Sequence, residues 1–162
     1  MYRRLLTTKY KYVMKKSVLF LCALTMFCGA YAQSQKEELS MKGILEAASP
    51  YVNLIEREMG QEIVRMEFDI IQETKSTFRT LTSEYTYGIC AFGDYRIEDI
   101  DIKVYKWTNE KWVLVEKDED AENLACVNIS PYSTSDYRID ISVYKFASGY
   151  SGGHYGLIIY HE

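Results

Sequence analysis

From Glu62 to the C-terminus, apolar side chains recur at every second position, the period of a pleated strand with one buried face. Ile63–Ile70 reads as one strand, Phe78–Tyr87 as a second and Ile89–Phe92 as a short third. Ile100, Ile102 and Val104 alternate with Asp101, Lys103 and Tyr105 in a fourth. Trp112–Glu116, Leu124–Ile129, Tyr137–Phe146 and His154–Tyr160 complete the series. Turn-forming stretches at Thr108–Glu110, Asp118–Glu122 and Ser148–Gly153 separate them. About eight short strands at this spacing predict a mainly β fold, an antiparallel jelly-roll-like β-sandwich. Neither βαβ alternation nor a glycine-rich phosphate loop is present, which excludes a nucleotide-binding fold.

Upstream the period lengthens. Ser34-Gln35-Lys36-Glu37 has the form of a capping box, and Leu39, Ile44, Leu45 and Ala48 follow at helical spacing. Ser49-Pro50 interrupts this pattern, with Ser as N-cap and Pro at the first helical position of a second short helix. Tyr51, Val52, Ile55 and Met59 supply its apolar face, and Gly60 its stop. The domains expected are a signal peptide over 1–32, a helical leader over 33–60 and a β-sandwich over 61–162. The leader is expected to pack on the sandwich or to dock a partner.

The signal peptide rests on Lys15 and Lys16, the apolar run Val18–Phe27, and the small-residue site Ala30-Tyr31-Ala32, with Met14 as start and Gln33 as new N-terminus. The run is too short for a spanning helix of about 20 residues. Neither Cys22 nor Cys28 follows a small residue, which argues against a lipoprotein. The localisation expected is secreted or periplasmic, with no membrane insertion after cleavage.

Cleavage changes the charge. Residues 1–32 hold six of the 19 Lys and Arg and none of the 23 Asp and Glu, leaving 13 basic and 23 acidic side chains, a net charge of −10. Nucleic acids and anionic membranes recruit clustered positive charge and are disfavoured as partners. Cys90 and Cys126 survive processing and are read either as a disulfide between neighbouring strands or as two buried thiols.

Asp101-Ile-Lys-Val-Tyr-Lys-Trp107 echoes Asp140-Ile-Ser-Val-Tyr-Lys-Phe146 at a 39-residue offset, which predicts two similarly placed strands with Ile and Val inward. Asp99-Ile-Asp-Ile-Lys-Val-Tyr105, an acidic turn, Tyr137-Arg-Ile-Asp-Ile-Ser-Val143 and Gly153-His-Tyr-Gly-Leu-Ile-Ile159 together resemble the bacterial pre-peptidase C-terminal domain over about residues 94–160. That resemblance implies a non-catalytic β-sandwich appended to secreted hydrolases, some members binding calcium or polymeric substrates. Here no protease domain accompanies it, and a helical leader replaces the usual linker.

Two groups of residues are candidates for contacts. Calcium takes six to eight oxygens, which Asp99 and Asp101 on a strand and Asp118 and Asp120 in a turn are placed to contribute, although no EF-hand spacing occurs. Tyr105, Trp107, Tyr144 and Phe146 occupy matching positions in the echo strands. They form a flat exposed patch if those strands are neighbours, or a second core layer if the leader covers them. Tyr150 and His154 in the last loop join this ligand-binding set. His154 and His161 lack metal-ligand spacing, and Ser151 lacks the context of a nucleophile elbow. The function expected is a binding or accessory module for an extracytoplasmic protein or glycan. A self-associating envelope protein is the alternative, and a hydrolase a more distant one.

Overall fold

The computed structural model describes residues 40–162. The signal peptide, the capping box at Ser34–Glu37 and Leu39 lie outside the described residues. One helix opens the described chain: α1, Lys42–Asn53, continuing as a π-helical turn over Leu54–Glu58. Pro50 lies inside α1, so the expected break at Ser49-Pro50 does not occur. Proline removes one donor from the helical ladder. The helix runs on because Ile44, Ala48 and Ile55 must share one face to cover the same sheet, and all three are buried while Pro50 points to solvent. Beyond Pro50 the ladder widens, with Met59 N donating to Leu54 O over 2.9 Å. Gly60, at φ +69°, then ends the helix, as its sequence position predicts.

Eight strands follow: β1 Glu62–Ile71, β2 Thr74–Leu81, β3 Tyr87–Gly93, β4 Ile97–Thr108, β5 Lys111–Asp118, β6 Leu124–Ile129, β7 Ser135–Phe146 and β8 Gly153–His161. The expected second strand, Phe78–Tyr87, ends instead at Leu81. The chain crosses there between sheets, and the Tyr87 hydroxyl accepts from Thr82 N at 3.2 Å. The two four-stranded sheets have orders β1-β8-β3-β6 and β2-β7-β4-β5. β1 pairs β8, β2 pairs β7, β3 pairs β6 and β4 pairs β5, all antiparallel. This is one long hairpin rolled upon itself: the fold is a jelly-roll β-sandwich.

The main core lies between the sheets, where Ile89, Ala91, Ile100, Ile102, Val104, Ile139, Ile141 and Leu157 are fully inaccessible. Both echo strands contribute to it as predicted: β4 and β7 are neighbours, and Ile102 of one pairs with Ile141 of the other. A second cluster lies on the outer face of the first sheet, where Ile44, Ala48 and Ile55 of the helical segment meet Phe92 and Ile158. β3 is therefore buried on both faces, as its continuous run Tyr-Gly-Ile-Cys-Ala-Phe-Gly suggests. Phe92 needs Gly156 directly opposite, because a Cβ there would stand well inside van der Waals contact of the ring.

The unpaired edges of β1 and β2 carry charges turned inward. Lys75 Nζ lies 2.7 Å from Asp69 Oδ2, and Glu67 is shared by Arg65 and Arg79. Such inward charges block further strand addition at an edge.

Candidate binding face on the open sheet

The outer face of the β2-β7-β4-β5 sheet is the reverse side of the main core strands. Alternation that buries Ile102, Val104, Ile139 and Ile141 sends Lys103, Tyr105, Trp107, Arg138 and Asp140 outward. Register then decides which of these meet. Phe78 lies opposite Arg138, Arg138 opposite Tyr105, and Tyr105 opposite Leu114, one row crossing all four strands. The next row sets Trp107 directly against Trp112. These two rings flank a two-residue turn in which Asn109 and Glu110 have φ of 51° and 61°, the left-handed pair of a tight hairpin.

The rings touch in series. Trp107 and Trp112 have centroids 5.0 Å apart, and Trp112 and Phe78 are separated by 5.6 Å. Arg138 stacks into the group, 4.3 Å above Tyr105 and 5.6 Å from Trp112. Phe78 is 55% exposed and Trp107 43%, and no element among the described residues covers them.

Polar groups frame the rings. Arg138 Nε lies 3.1 Å from Asp140 Oδ1, which also accepts from Ser76 Oγ at 2.7 Å. Thr80 Oγ1 donates to Asp136 over 2.7 Å. Farther along, Glu119 takes Lys103 at 2.6 Å and also pairs with Lys117, and these two hydrogen bonds hold its carboxyl down at about 2. Asp101 is shifted the other way: burial raises its pKa, and the neighbouring charges of Asp99 and Glu119 add to that.

The candidates from sequence divide between separate places. Tyr105 and Trp107 stand on this face. Tyr144 and Phe146 do not join them, because β4 and β7 run antiparallel and equal positions in the echo fall at opposite ends of the sheet. Tyr144 is exposed there, while Phe146 turns onto the main core. Tyr150 sits in the last loop with its ring edge-on to Tyr95 at 5.8 Å.

His154 is a correction. It is 2% exposed, with Nδ1 against Arg96 and 3.3 Å from Asp94 Oδ2, so its ring serves the interior. Asp94 also accepts from the backbone amides of Arg96 at 3.0 Å and His154 at 3.2 Å. Burial alone would raise its pKa; the bonds from Arg96 and from these amides outweigh it and hold the carboxyl below its ordinary value.

The acidic candidates are not gathered into a metal site among the described residues. Asp99 is buried and Asp101 half-buried on β4, whereas Asp118 accepts from Cys126 N at 2.9 Å and from Asp120 N at 3.1 Å, tying β5 to β6. Among the described residues no three His, Cys, Asp or Glu side chains are grouped to hold a metal ion. Cys90 and Cys126 face each other in the β3–β6 ladder and are joined by a disulfide.

No family model matches the sequence, and no curated protein matches it. Solved structures do. The pre-peptidase C-terminal domain of a Bacillus anthracis collagenase is 12% identical, with a TM-score of 0.47 over 59% of this chain and 87% of that one. It carries the family name that residues 94–160 resemble. A periplasmic inhibitor of g-type lysozyme from Aeromonas hydrophila is 6% identical, with a TM-score of 0.40 over 64% of this chain and 90% of that one. A mitogen from Yersinia pseudotuberculosis is 9% identical, with a TM-score of 0.41 over 61% and 85%.

Three residues of the face escaped sequence reading: Phe78, Trp112 and Arg138. Trp112 had a signal, since a two-residue turn at Asn109-Glu110 pairs it with Trp107. Phe78 and Arg138 had none, because they arrive through pairings between strands distant in sequence.

Proposed function

We propose that the protein is a non-catalytic binding module acting outside the cytoplasm, and that it meets a glycan or protein ligand on the outer face of the β2-β7-β4-β5 sheet. One observation carries this reading: Phe78, Trp107 and Trp112 form a contiguous aromatic group that stays open while the opposite sheet hides its aromatic residues under a helix. Exposed apolar surface framed by polar groups marks a contact site. The backbone of β4 and β7 is fixed by the fully buried Ile102, Val104, Ile139 and Ile141, so the strands that carry Trp107 and Arg138 are in place before a ligand arrives. The interior placement of His154 favours binding over catalysis.

Both tryptophans of the chain lie on this face, so selectively excited tryptophan emission reports on it alone. Titration with extracytoplasmic polysaccharides and proteins, with and without calcium, should give a saturable emission change with one of them. The change should vanish in Trp107→Ala. A ligand that binds without altering the emission would place the site elsewhere and end this reading.

A further inference from the structure

Resting on that reading, we infer that the face takes a single, uncharged glycan chain with a twisted backbone, laid along the contact series Phe78, Trp112 and Trp107. Three features of the face define this ligand.

The first is ring orientation. Trp107 and Trp112 are inclined at 60° to each other, and Trp112 and Phe78 at 52°. A crystalline polysaccharide presents a plane, which needs coplanar rings. Rings turned by this much from one to the next can each stack on a sugar only if successive sugars also turn. A pyranose with equatorial hydroxyls offers an apolar C–H face to a ring while its hydroxyls point outward to the rim.

The second is the rim. Asp136, Arg138, Asp140, Ser76 and Thr80 lie on the strands beside the rings, fixed through the Thr80–Asp136, Ser76–Asp140 and Arg138–Asp140 contacts. They offer directed donors and acceptors next to aromatic surface. A protein hot spot is surrounded by contacts that exclude water; here polar groups interleave with the rings, which suits a polyhydroxylated chain.

The third is charge. Arg138, Lys103 and Lys117 each lie against a carboxylate, Asp140 or Glu119. These three cations are already paired, so they do not offer a uronate or sulfated polymer an unmatched charge, and the chain's acidic balance opposes its approach.

The test is a panel read by tryptophan emission and sedimentation: soluble β-1,3- and α-1,4-gluco-oligosaccharides, cello-oligosaccharides, crystalline cellulose, polygalacturonate and chitosan. The expected result is saturable binding of a twisting neutral oligosaccharide, insensitive to salt, with no retention on crystalline cellulose. Phe78→Ala, at an exposed position, should weaken it about tenfold, on the order of one lost stacking contact. Retention on the crystal or salt-sensitive binding of a charged polymer would overturn the inference while leaving the face as the site. Binding of a protein but no sugar would do the same. Tryptophans shielded from a neutral quencher in the free protein would instead overturn the reading of the face itself.

Discussion

The two outer faces of this sandwich are built from the same alternation of residues and end in opposite states. On the β1-β8-β3-β6 sheet, Phe92 is 1% exposed, and Phe68, Tyr160 and Leu124 are partly buried beside it beneath the helical segment. On the β2-β7-β4-β5 sheet, Phe78, Trp107 and Leu114 remain exposed. Burying an aromatic ring is worth about 2–3 kcal/mol by area, and the helix realises that gain on one side only. The difference sets a helix-covered aromatic cluster around Phe92 against an open aromatic group around Trp107.

This contrast sets a graded series of expected effects. Phe92→Ala removes the ring that meets Tyr51 at 4.8 Å and Phe68 at 6.5 Å. It should cost about 3–5 kcal/mol of unfolding free energy, measured in denaturant. Reducing the Cys90–Cys126 disulfide, which closes a 36-residue separation on the covered sheet, should cost about 3–4 kcal/mol in the chain-entropy model. Acid should act through Asp94. Its pKa is lowered in the folded state, so its contribution is present above the ordinary carboxylate range and lost as pH falls through the folded value. Asp94→Asn should therefore lower stability at neutral pH and flatten the acid limb of the stability curve. Phe78→Ala, on the open face, should change stability by less than about 0.5 kcal/mol while weakening ligand binding about tenfold. A large stability loss there would show that Phe78 is packed rather than presented.

The fold was legible because period and turns agree along the chain. Ile102, Val104 and Ile141 point inward as their alternation requires, and Gly60 ends the helix where its place after an apolar helical run suggests. Pro50 misled because local propensity yields to packing: Ile44, Ala48 and Ile55 gain more from one continuous helix than the chain loses from one missing donor. The binding face was half legible. Tyr105 and Trp107 stand out as aromatic residues at outward positions. Their companions come from β2, β5 and β7 by register, which one-dimensional spacing does not encode. The same register carries Tyr144 and Phe146 away, since an echo in sequence reverses in space when its strands are antiparallel. His154 stood in a loop-like stretch, Ser148–His154, and its contacts with Asp94 and Arg96 come from 60 and 58 residues away.

The central claim is that one aromatic face is covered and the other open, and acrylamide quenching of tryptophan emission in the ligand-free protein tests it most directly. Trp107 and Trp112 are the chain's two tryptophans and both stand on the open sheet. The account predicts red-shifted emission quenched efficiently in the native state, with Trp107 the more accessible of the pair. Blue-shifted emission that resists quenching until the protein unfolds would contradict it, and would place these rings in a core like that around Phe92.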